Sequence, residues 1–329
     1  MAQMSNLWDR FGGRHHRVTV RVPATSANLG PAFDCLGLAL QIYNTVTVSI
    51  VDSPDGGVVD LEIAGEGSQY LPRNHKNIVW RALELGLRRN KAPLPAMAIR
   101  CCNNIPMNRG LGSSAAAWIA GLILGNYIGG QALSPEQIVA EAAYQEGHPD
   151  NVSAAFHGGL VLSVPTDDND TASPKFIFDK PEIDDDWRAI LYIPERPVST
   201  RQSRQLLPRR VPMEDAVFNI AHTALLLRAL ASGDQGLLMA SLRDRLHQPY
   251  RLQGDETYDR LVQLSKELSL PEPVLSGSGS TLISLYHGEP GQRVANEIQA
   301  RIGSLMLPVQ IQVKVVDIDT KGAYSYTHE

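Results

Sequence analysis

Hydrophobic and polar residues alternate along several short stretches of the chain, which is the pattern of a half-buried β-strand. The alternation is clear in residues 17–22 and in residues 45–51, which read Thr-Val-Thr-Val-Ser-Ile-Val. We predict strands there and at six further stretches: residues 58–63, 97–101, 159–164, 189–193, 309–316 and, as two arms around a glycine turn, 274–285.

Other stretches have the spacing of helices. Residues 77–89 place apolar residues on one face, with Asn77 as the N-cap and basic residues in the last turn. Residues 115–128 are apolar nearly all round, which predicts a buried helix. Ser134-Pro-Glu-Gln137 is a capping box, so a helix should cover residues 135–146. Three more helices are predicted at residues 214–230, 256–268 and 292–302.

These strands and helices interleave irregularly, without a regular βαβ rhythm. The order predicts an α+β fold in which helices pack on mixed sheets, and not a doubly wound parallel sheet. A chain of 329 residues is long enough for two domains. We expect a flexible tail at residues 1–16, an N-terminal domain at 17–166, an acidic connection at 167–186 and a C-terminal domain at 187–329.

Charge and composition exclude several classes of protein. The net charge of −5 argues against a general binder of nucleic acid or acidic membranes. The longest apolar run, residues 115–128, is shorter than the roughly 20 residues of a bilayer span, and the first residues lack the apolar core of a signal peptide. Cys35, Cys101 and Cys102 are expected to be reduced thiols. We therefore expect a cytoplasmic protein without nucleic-acid or membrane partners.

A glycine-bearing loop leads directly into the apolar helix at residues 105–117, Ile-Pro-Met-Asn-Arg-Gly-Leu-Gly-Ser-Ser-Ala-Ala-Ala. Gly110 and Gly112 allow backbone conformations that other residues avoid, and they let a ligand approach closely. Ser113 and Ser114 stand at the helix start, where unpaired N–H groups favour phosphate. The loop is neither a Walker loop nor a Rossmann loop, because the Walker lysine and the third Rossmann glycine are missing.

The loop and five other segments resemble known motifs. Residues 106–116, Pro-x-x-x-Gly-Leu-Gly-Ser-Ser-Ala-Ala, closely resemble the central phosphate loop of the GHMP small-molecule kinases, the superfamily of galactokinase, homoserine kinase, mevalonate kinase and phosphomevalonate kinase. The segments that resemble homoserine kinase are 23–37 (Pro-Ala-Thr-Ser-Ala-Asn-Leu-Gly-Pro-Ala-Phe-Asp-Cys-Leu-Gly), 146–151, 198–204, 246–251 and 275–281. On these motifs, which run in the family's order, the sequence is identified as a member of the homoserine kinase family.

The resemblance implies a two-domain GHMP-kinase-like fold whose N-terminal domain binds ATP. It implies ATP-dependent phosphorylation of the side-chain hydroxyl of L-homoserine to O-phospho-L-homoserine, with release of ADP, in threonine biosynthesis. Mg²⁺ and a homodimer are expected with it. The ATP-binding residues would be Asn77, Pro106, Met107, Asn108, Arg109, Gly110, Leu111, Gly112, Ser113, Ser114, Ala115 and Ala116.

A zwitterionic amino acid needs an anion for its ammonium group and a cation, best a guanidinium, for its carboxylate. Asp34 offers the anion and Asn28 an amide, while Arg204 and Arg251 offer guanidinium groups. The resemblance implies that these residues hold the substrate together with Gly279. It also implies that Thr200 lies near the transferred phosphate and Asn151 near the attacking hydroxyl.

Two oxygen-bearing residues are candidates for the metal. Mg²⁺ usually takes one or two carboxylates plus phosphate oxygens and water. Ser114 would supply a hydroxyl and Glu146 a carboxylate, since similar kinases pair a serine with a glutamate. Glu141 is the alternative carboxylate, because it lies on the same predicted helix.

No obvious base accompanies the nucleophile. Many phosphoryl-transfer enzymes place an aspartate there, whereas this motif ends Asp150-Asn151, and an amide cannot take a proton at neutral pH. If Asn151 faces the hydroxyl, catalysis would be positioning and charge stabilisation, with the proton passing to a phosphate oxygen. His148 is the alternative base and is counted with Asn151 and Thr200 among the catalytic candidates.

Three other readings compete with this one. They are a GHMP kinase for another small molecule, a nucleotide-binding homologue without catalysis, and a serine hydrolase built on Ser278, which lacks the Gly-x-Ser-x-Gly elbow. Asp34 and the two arginines argue against the first, and the pair of metal candidates argues against the second. The chain also departs from the family pattern at Ser280, where proline is usual, and at Ala32, where glycine is usual.

Overall fold

The computed structural model describes residues 17–51, 56–166, 176–288 and 291–328. Its strands are β1 (Arg17–Ala27), β2 (Leu36–Ile50), β3 (Gly57–Gly65), β4 (Ala96–Asn103), β5 (Leu160–Pro165), β6 (Phe176–Asp179), β7 (Trp187–Pro194), β8 (Val274–Leu275), β9 (Leu282–His287), β10 (Ile311–Asp317) and β11 (Tyr324–His328). Its helices are α1 (Ile78–Arg89), α2 (Ser113–Gly129), α3 (Pro135–Glu146), α4 (Asp150–His157), α5 (Thr200–Gln205), α6 (Met213–Ser232), α7 (Gln235–Ser241), α8 (Gln248–Arg251), α9 (Glu256–Glu267) and α10 (Gly291–Ser304).

The strands form two mixed or antiparallel sheets. The larger has seven strands in the order β11-β1-β2-β4-β3, and β5 joins the first part of β2 and carries β6. Within it β3 and β4 are parallel and the other pairs are antiparallel. The smaller sheet has four antiparallel strands in the order β10-β7-β9-β8. The predicted α+β class is therefore confirmed.

Helix α2 lies at the centre of the main core. It packs against β1, β2 and the helices α1, α3 and α4, which is why it is apolar on every side. Gly121 and Gly125 let α1 approach closely: an added Cβ would lie 2.5 Å from the Cβ of Ala82 and 2.3 Å from the carbonyl oxygen of Leu83, respectively. Tight packing of this kind fixes the position of the helix start, where the glycine loop ends.

Local signals in the sequence are confirmed at both predicted caps. The Asn77 side chain accepts a hydrogen bond from the N–H of Val79 at the start of α1. Ser134 and Gln137 form the reciprocal capping box of α3. Among the helices of the described residues, none has both the length and the apolar character that a membrane crossing would need.

Long-range strand pairing was not predicted. β11, from the end of the chain, pairs with β1 at its beginning, and β6 lies within the segment that the sequence assigned to the acidic connection. The predicted tail and residues 167–175 of that connection lie outside the described residues. The division into domains stays a prediction.

Candidate active site

A cavity of about 320 Å³ opens between the glycine loop, the turn after β1, the start of α4, helix α5 and the turn after β8. Most of the residues predicted from the motifs meet there. They are Asn28, Asp34, Asn77, Pro106, Met107, Asn108, Gly110, Leu111, Gly112, Ser113, Ser114, Glu146, His148, Asn151, Thr200, Arg204 and Arg251.

The glycine loop fits closely against two other segments. Gly110 and Gly112 both have positive φ, of 73° and 68°. A Cβ on Gly110 would lie 2.1 Å from the carbonyl oxygen of Ser276, and a Cβ on Gly112 would lie 1.9 Å from Oγ1 of Thr25. These two positions therefore exclude any side chain, and the loop can follow the cavity wall only because they are glycines.

Helix α2 begins inside the cavity, with Gly112 as its N-cap. The first N–H groups of a helix have no partner within the helix and carry partial positive charge, so they suit phosphate oxygens. At this helix start the Ser114 hydroxyl donates a hydrogen bond to Oε2 of Glu146 over 2.9 Å. Burial raises the pKa of Glu146 above its ordinary value, against the opposing charge of His148 and the bond from Ser114.

The structure therefore brings Glu146 into the cavity. The alternative carboxylate, Glu141, lies elsewhere and forms an ion pair with Arg89 at 2.7 Å. Glu141 lies five residues before Glu146 on the same helix, so its side chain points in another direction. The sequence alone did not show which of the two glutamates faces the cavity.

Arg204 and Asp34 also line the cavity and bind each other. Nη1 and Nη2 of the arginine donate to the two carboxylate oxygens over 2.8 and 2.7 Å. Arg251 is different: its Nη1 donates to the carbonyl oxygen of Gly277 at 3.1 Å, and its buried Nε has no partner among the described residues. Burial and the nearby charge of Arg204 lower the pKa of Arg251 to about 10. The hydrogen bonds of the Arg251 guanidinium among the described residues thus go to neutral groups and not to a carboxylate.

Asn28 holds the local backbone together. Its Nδ2 donates to the carbonyl oxygen of Gly277, and its Oδ1 accepts from the N–H of Asp34, both over 2.9 Å. The residue is buried with φ of 74°, a conformation that asparagine tolerates better than most residues. Asn28 thereby places the Asp34 carboxylate beside the turn that also binds Arg251.

Asn151 lies between the two ends of the cavity, and its side-chain amide is held on both sides. Its Oδ1 accepts from the Thr25 hydroxyl at 2.8 Å, and its Nδ2 donates to Oδ1 of Asp150 at 3.1 Å. Each amide nitrogen carries two hydrogens. The second hydrogen on Nδ2 is thus left for another acceptor.

His148 and Asp150 form a pair beside Asn151. The Nδ1 atom of His148 lies 2.9 Å from Oδ1 of Asp150. Burial alone would raise the pKa of Asp150, but the bond and charge of His148 and the N–H of Asn151 outweigh it, so the carboxyl stays ionised. Burial likewise opposes the charge on His148, but Asp150 and Glu146 raise its pKa above the ordinary value. A histidine that holds its proton more firmly suits phosphate oxygens better than it suits proton abstraction.

Four predicted residues do not line this cavity. Ala115 and Ala116 are fully buried in the hydrophobic core of the protein. Arg109 points away, and its Nε donates to the carbonyl oxygen of Pro194. Gly279 borders a neighbouring pocket of about 240 Å³. Thr200, which does line the cavity, has its Oγ1 atom 3.1 Å from the hydroxyl of Ser278.

Other lining residues were missed by the motif reading. Lys76 and Asn103 line the cavity near the glycine loop, together with apolar residues such as Leu71 and Ile78. Lys76 precedes the N-cap of α1, so the helix signal at Asn77 was the available clue. Neither residue lies in a motif: Asn103 ends β4 directly before the loop, and Lys76 lies in the turn before α1.

The two departures from the family pattern are accommodated in the turns where they occur. The Ser280 hydroxyl donates a hydrogen bond to the carbonyl oxygen of Arg196. Ala32 is buried, and its N–H bonds to the carbonyl oxygen of Asn28 at 3.1 Å. The asparagine, the alanine and the aspartate thus share one compact turn.

This arrangement has two ends with different chemistry. One end offers a helix start, backbone N–H groups and a serine–glutamate pair, which suit a phosphate chain with a metal ion. The other offers a carboxylate and two guanidinium groups, which suit an amino acid. An amide and a histidine lie between them, where a phosphoryl group would pass.

Comparison with known proteins agrees with this geometry. Residues 77–159 match the family model described as GHMP kinases N terminal domain. The fold is shared with a structure of mevalonate kinase, at a TM-score of 0.64 and 13% identity over 92% of this chain and 99% of that one. The fold and the cavity thus define a protein of the GHMP kinase class.

Relatives at higher identity narrow the class. A homoserine kinase of Corynebacterium urealyticum is 39% identical over 82% of this chain and 86% of its own length. One of Desulfitobacterium hafniense is 35% identical over 93% and 99%. A structure titled putative homoserine kinase, from Listeria monocytogenes, matches with a TM-score of 0.73 and 28% identity over 95% of this chain and 100% of that one. The chain belongs to the homoserine kinase family.

Proposed function

We propose that this protein transfers the γ-phosphoryl group of ATP to the side-chain hydroxyl of L-homoserine, forming O-phospho-L-homoserine and ADP, as a step of threonine biosynthesis. The observation that carries the proposal is the convergence of a phosphate-type helix start and an amino-acid-type charge cluster in one cavity. Family membership at 34–39% identity supports the same activity.

The ATP phosphates occupy the glycine loop and the start of α2 in this proposal. Gly110 and Gly112 give the phosphates access to the backbone, and Ser113 and Ser114 begin the helix. Lys76, which lines the same cavity, adds a cation for the phosphate chain. Arg109, whose guanidinium bonds to Pro194, contributes through its backbone position in the loop.

The amino acid occupies the other end. Asp34 binds the ammonium group, and Arg251, which lines the cavity beside it, binds the carboxylate. Arg204 is held by Asp34 and adds positive charge beside the carboxylate. Thr200 and Asn151 line the same cavity, and in this proposal they contact the hydroxyl and the transferred phosphate.

Mg²⁺ fits the pair of Ser114 and Glu146. Both offer hard oxygen ligands, and their oxygens are 2.9 Å apart at the phosphate end of the cavity. Glu146 is buried, and the positive side chain paired with it among the described residues is a histidine 4.0 Å away. Such a carboxylate is expensive to ionise, and a divalent cation would offset that cost. When bound, Mg²⁺ neutralises charge on the phosphate oxygens.

The hydroxyl is activated by position and not by a strong base. Asn151 is fixed by Thr25 and Asp150, so its remaining N–H points a donor at the reacting oxygens. A loose phosphoryl-transfer transition state needs little proton abstraction, so the proton can leave to a phosphate oxygen. His148, with its raised pKa, stabilises negative charge there.

The test is an ADP-release assay coupled to a reporter enzyme, run in parallel with homoserine, mevalonate, shikimate and galactose. We expect kcat/KM to be at least about 10²-fold higher with homoserine than with the other acceptors. The other acceptors lack the ammonium group that would pair with the carboxylate of the site. A preference for mevalonate, shikimate or galactose would support the alternative that the protein is a GHMP kinase for another small molecule. Tight ATP binding without turnover on any acceptor would support the non-catalytic homologue.

A homodimer is part of the proposal, supported by one face of α6. Met213, Val217 and Ile220 follow each other at helical spacing and are 79%, 56% and 70% exposed. Ala224 continues the same face and is also exposed. Contiguous exposed apolar residues of this kind mark an interaction surface.

A second copy of the chain fits this face through a two-fold axis. If two α6 helices pack antiparallel about Ala221, Glu214 of each copy lies beside Arg228 of the other, so the charges are complementary. Light scattering after gel filtration should give a dimer for the wild type and a monomer for Ile220→Glu. Met306→Glu, at an apolar residue 87% exposed elsewhere, is the matched control and should stay dimeric. A monomeric wild type contradicts this part of the proposal.

A cytoplasmic location remains a proposal that rests on the cysteines. All three are free thiols in the structure, as a reducing compartment would keep them. Fractionation of the native host with an antibody would test it, and recovery from a secreted fraction would refute it.

A further inference from the structure

The phenyl ring of Phe33 adjoins three side chains of the amino-acid end. It stacks on the imidazole of His247, with ring centroids 5.3 Å apart and an interplanar angle of 28°. The same ring has the guanidinium carbons of Arg204 and Arg251 at 5.7 and 5.3 Å from its centroid. One aromatic ring therefore adjoins both cations of the cavity.

His247 is fully buried, and its hydrogen bonds fix its tautomer. Its Nε2 lies 2.7 Å from the carbonyl oxygen of Gly30, which can only accept, so Nε2 carries a hydrogen. Burial lowers the pKa of His247, assisted by the charge of Arg251, although the facing carboxylates Asp244 and Asp34 oppose the shift. The neutral ring then has a lone pair on Nδ1, which accepts from Nη1 of Arg251 at 3.4 Å.

Arg251 needs such support because its charge is poorly compensated. Arg204 has the Asp34 carboxylate, but the contacts of Arg251 within the described part of the chain are neutral groups: the Gly277 carbonyl, the His247 nitrogen and the face of Phe33. An aromatic face attracts a guanidinium through its quadrupole, most strongly where water is excluded. Phe33 also precedes Asp34 directly, so one turn orients both arginines.

We propose that Phe33 and His247 are positioning residues that hold the Arg251 guanidinium, and through it the carboxylate of the amino-acid substrate. This inference rests on the proposed function. It assigns no contact between Phe33 and the substrate: the ring acts through the arginine.

Kinetics of Phe33→Leu test the proposal, with Phe33→Met as a second variant of closer volume and Phe33→Tyr as the variant that keeps the ring. We expect KM for homoserine to rise about tenfold in the Leu and Met variants, which equals about 1.4 kcal/mol, and to return to near the wild-type value in Phe33→Tyr. KM for ATP should stay within about twofold. KM for homoserine amide, which lacks the carboxylate, should also stay within about twofold, because the lost interaction acts on the carboxylate.

The chain offers a matched control at Phe218. That ring stacks on His222, with centroids 3.8 Å apart, and lies 3.9 Å from the guanidinium carbon of Arg245, outside the cavity. Phe218→Leu removes a similar aromatic stack and should leave KM for homoserine unchanged. An equal rise in Phe218→Leu and Phe33→Leu would mean that loss of packing, and not positioning, explains the effect.

A double-mutant cycle separates action through Arg251 from a general structural role. In an Arg251→Met background, Phe33→Leu should raise KM by less than about twofold, because the group it positions is gone. A full tenfold rise in that background, or an equal rise with homoserine amide, overturns the proposal. If the wild type does not phosphorylate homoserine at all, the proposed function fails instead, and the two failures are therefore distinct.

Discussion

Arg204 and Asp34 form a two-armed ion pair at the amino-acid end of the cavity, with N–O distances of 2.8 and 2.7 Å. The sequence assigned these groups to opposite ends of a zwitterion, and the structure places them against each other. Each side chain is about one-third exposed, at 35% for the arginine and 32% for the aspartate. A positive and a negative group side by side match an α-amino acid, whose own charges are separated by one carbon.

Replacing Asp34 with asparagine should remove the anion for the substrate ammonium. We expect KM for homoserine to rise about 10- to 150-fold, since a hydrogen bond to a charged group contributes about 1.5–3 kcal/mol. KM for the homoserine analogue that has a hydroxyl in place of the α-amino group should rise much less. Steady-state kinetics with both substrates measure this, and equal losses would mean that Asp34 only holds Arg204.

Replacing Arg251 with methionine should remove the carboxylate-binding cation. Arg251 lines the cavity, and its hydrogen bonds among the described residues go to the neutral groups of Gly277 and His247, so we expect the loss in substrate binding more than in the fold. We expect KM for homoserine to rise about 10- to 150-fold, with KM for ATP nearly unchanged. Arg251→Lys, which keeps the charge without the planar fork, should recover part of the loss. A parallel rise for ATP would place Arg251 at the phosphates.

Replacing Glu146 with glutamine should raise the thermal stability of the protein near neutral pH although it lowers the activity. Burial raises the pKa of Glu146 in the folded state, so folding loses stability as pH rises from the ordinary glutamate value of about 4.3 through the raised one. At pH 7 to 8 without metal, Glu146→Gln should thus have a higher Tm than the wild type, and the difference should shrink at lower pH. Thermal unfolding followed by circular dichroism at several pH values measures this difference in Tm.

The same substitution should weaken the use of Mg²⁺. Loss of an outer-shell partner costs about 10- to 100-fold in metal affinity, and loss of a ligand should cost at least as much. The rate should therefore need more Mg²⁺ for its half-maximum, as it should in Ser114→Ala. Glu141→Gln is the control, because Glu141 pairs with Arg89 instead. Equal Mg²⁺ curves for Glu146→Gln and the control would remove Glu146 from the ligands.

Replacing Asn151 with aspartate tests whether the reaction lacks a base. The new carboxylate would lie next to the ionised Asp150, whose Oδ1 is now 3.1 Å from Nδ2 of Asn151, and next to the phosphate. Like charges there should lower kcat by at least about 10²-fold. His148→Gln should keep substantial turnover in comparison. A gain in kcat with Asn151→Asp would mean that the hydroxyl needs a base after all.

Replacing Thr25 with valine should loosen Asn151 without changing the volume of the site. The Thr25 hydroxyl donates to Oδ1 of Asn151 over 2.8 Å, and removing it leaves the amide free to rotate. We expect kcat to fall about tenfold, the cost of roughly 1.4 kcal/mol in the transition state, with KM values nearly constant. Thr25→Ser should restore most of the rate. An equal loss in Thr25→Ser would attribute the effect to packing.

The sequence by itself determined most of the helices and strands and the glycine loop of the cavity. The caps at Asn77 and Ser134, the glycines of the loop and the apolar helix α2 act over a few residues, so local spacing is enough to predict them. The motifs also identified most of the side chains that line the cavity, although four of the predicted residues lie outside it and Lys76 and Asn103 were missed. Their order along the chain, however, carried no information about which of them bind each other.

Only the tertiary structure decided those partners. It paired Arg204 with Asp34 across 170 positions, placed Glu146 instead of Glu141 in the cavity, turned Arg109 away, and set Phe33 beside His247. It also closed the larger sheet with β11 beside β1. Such contacts join distant segments, and they depend on the packing of α2 and the two sheets, which no local pattern specifies.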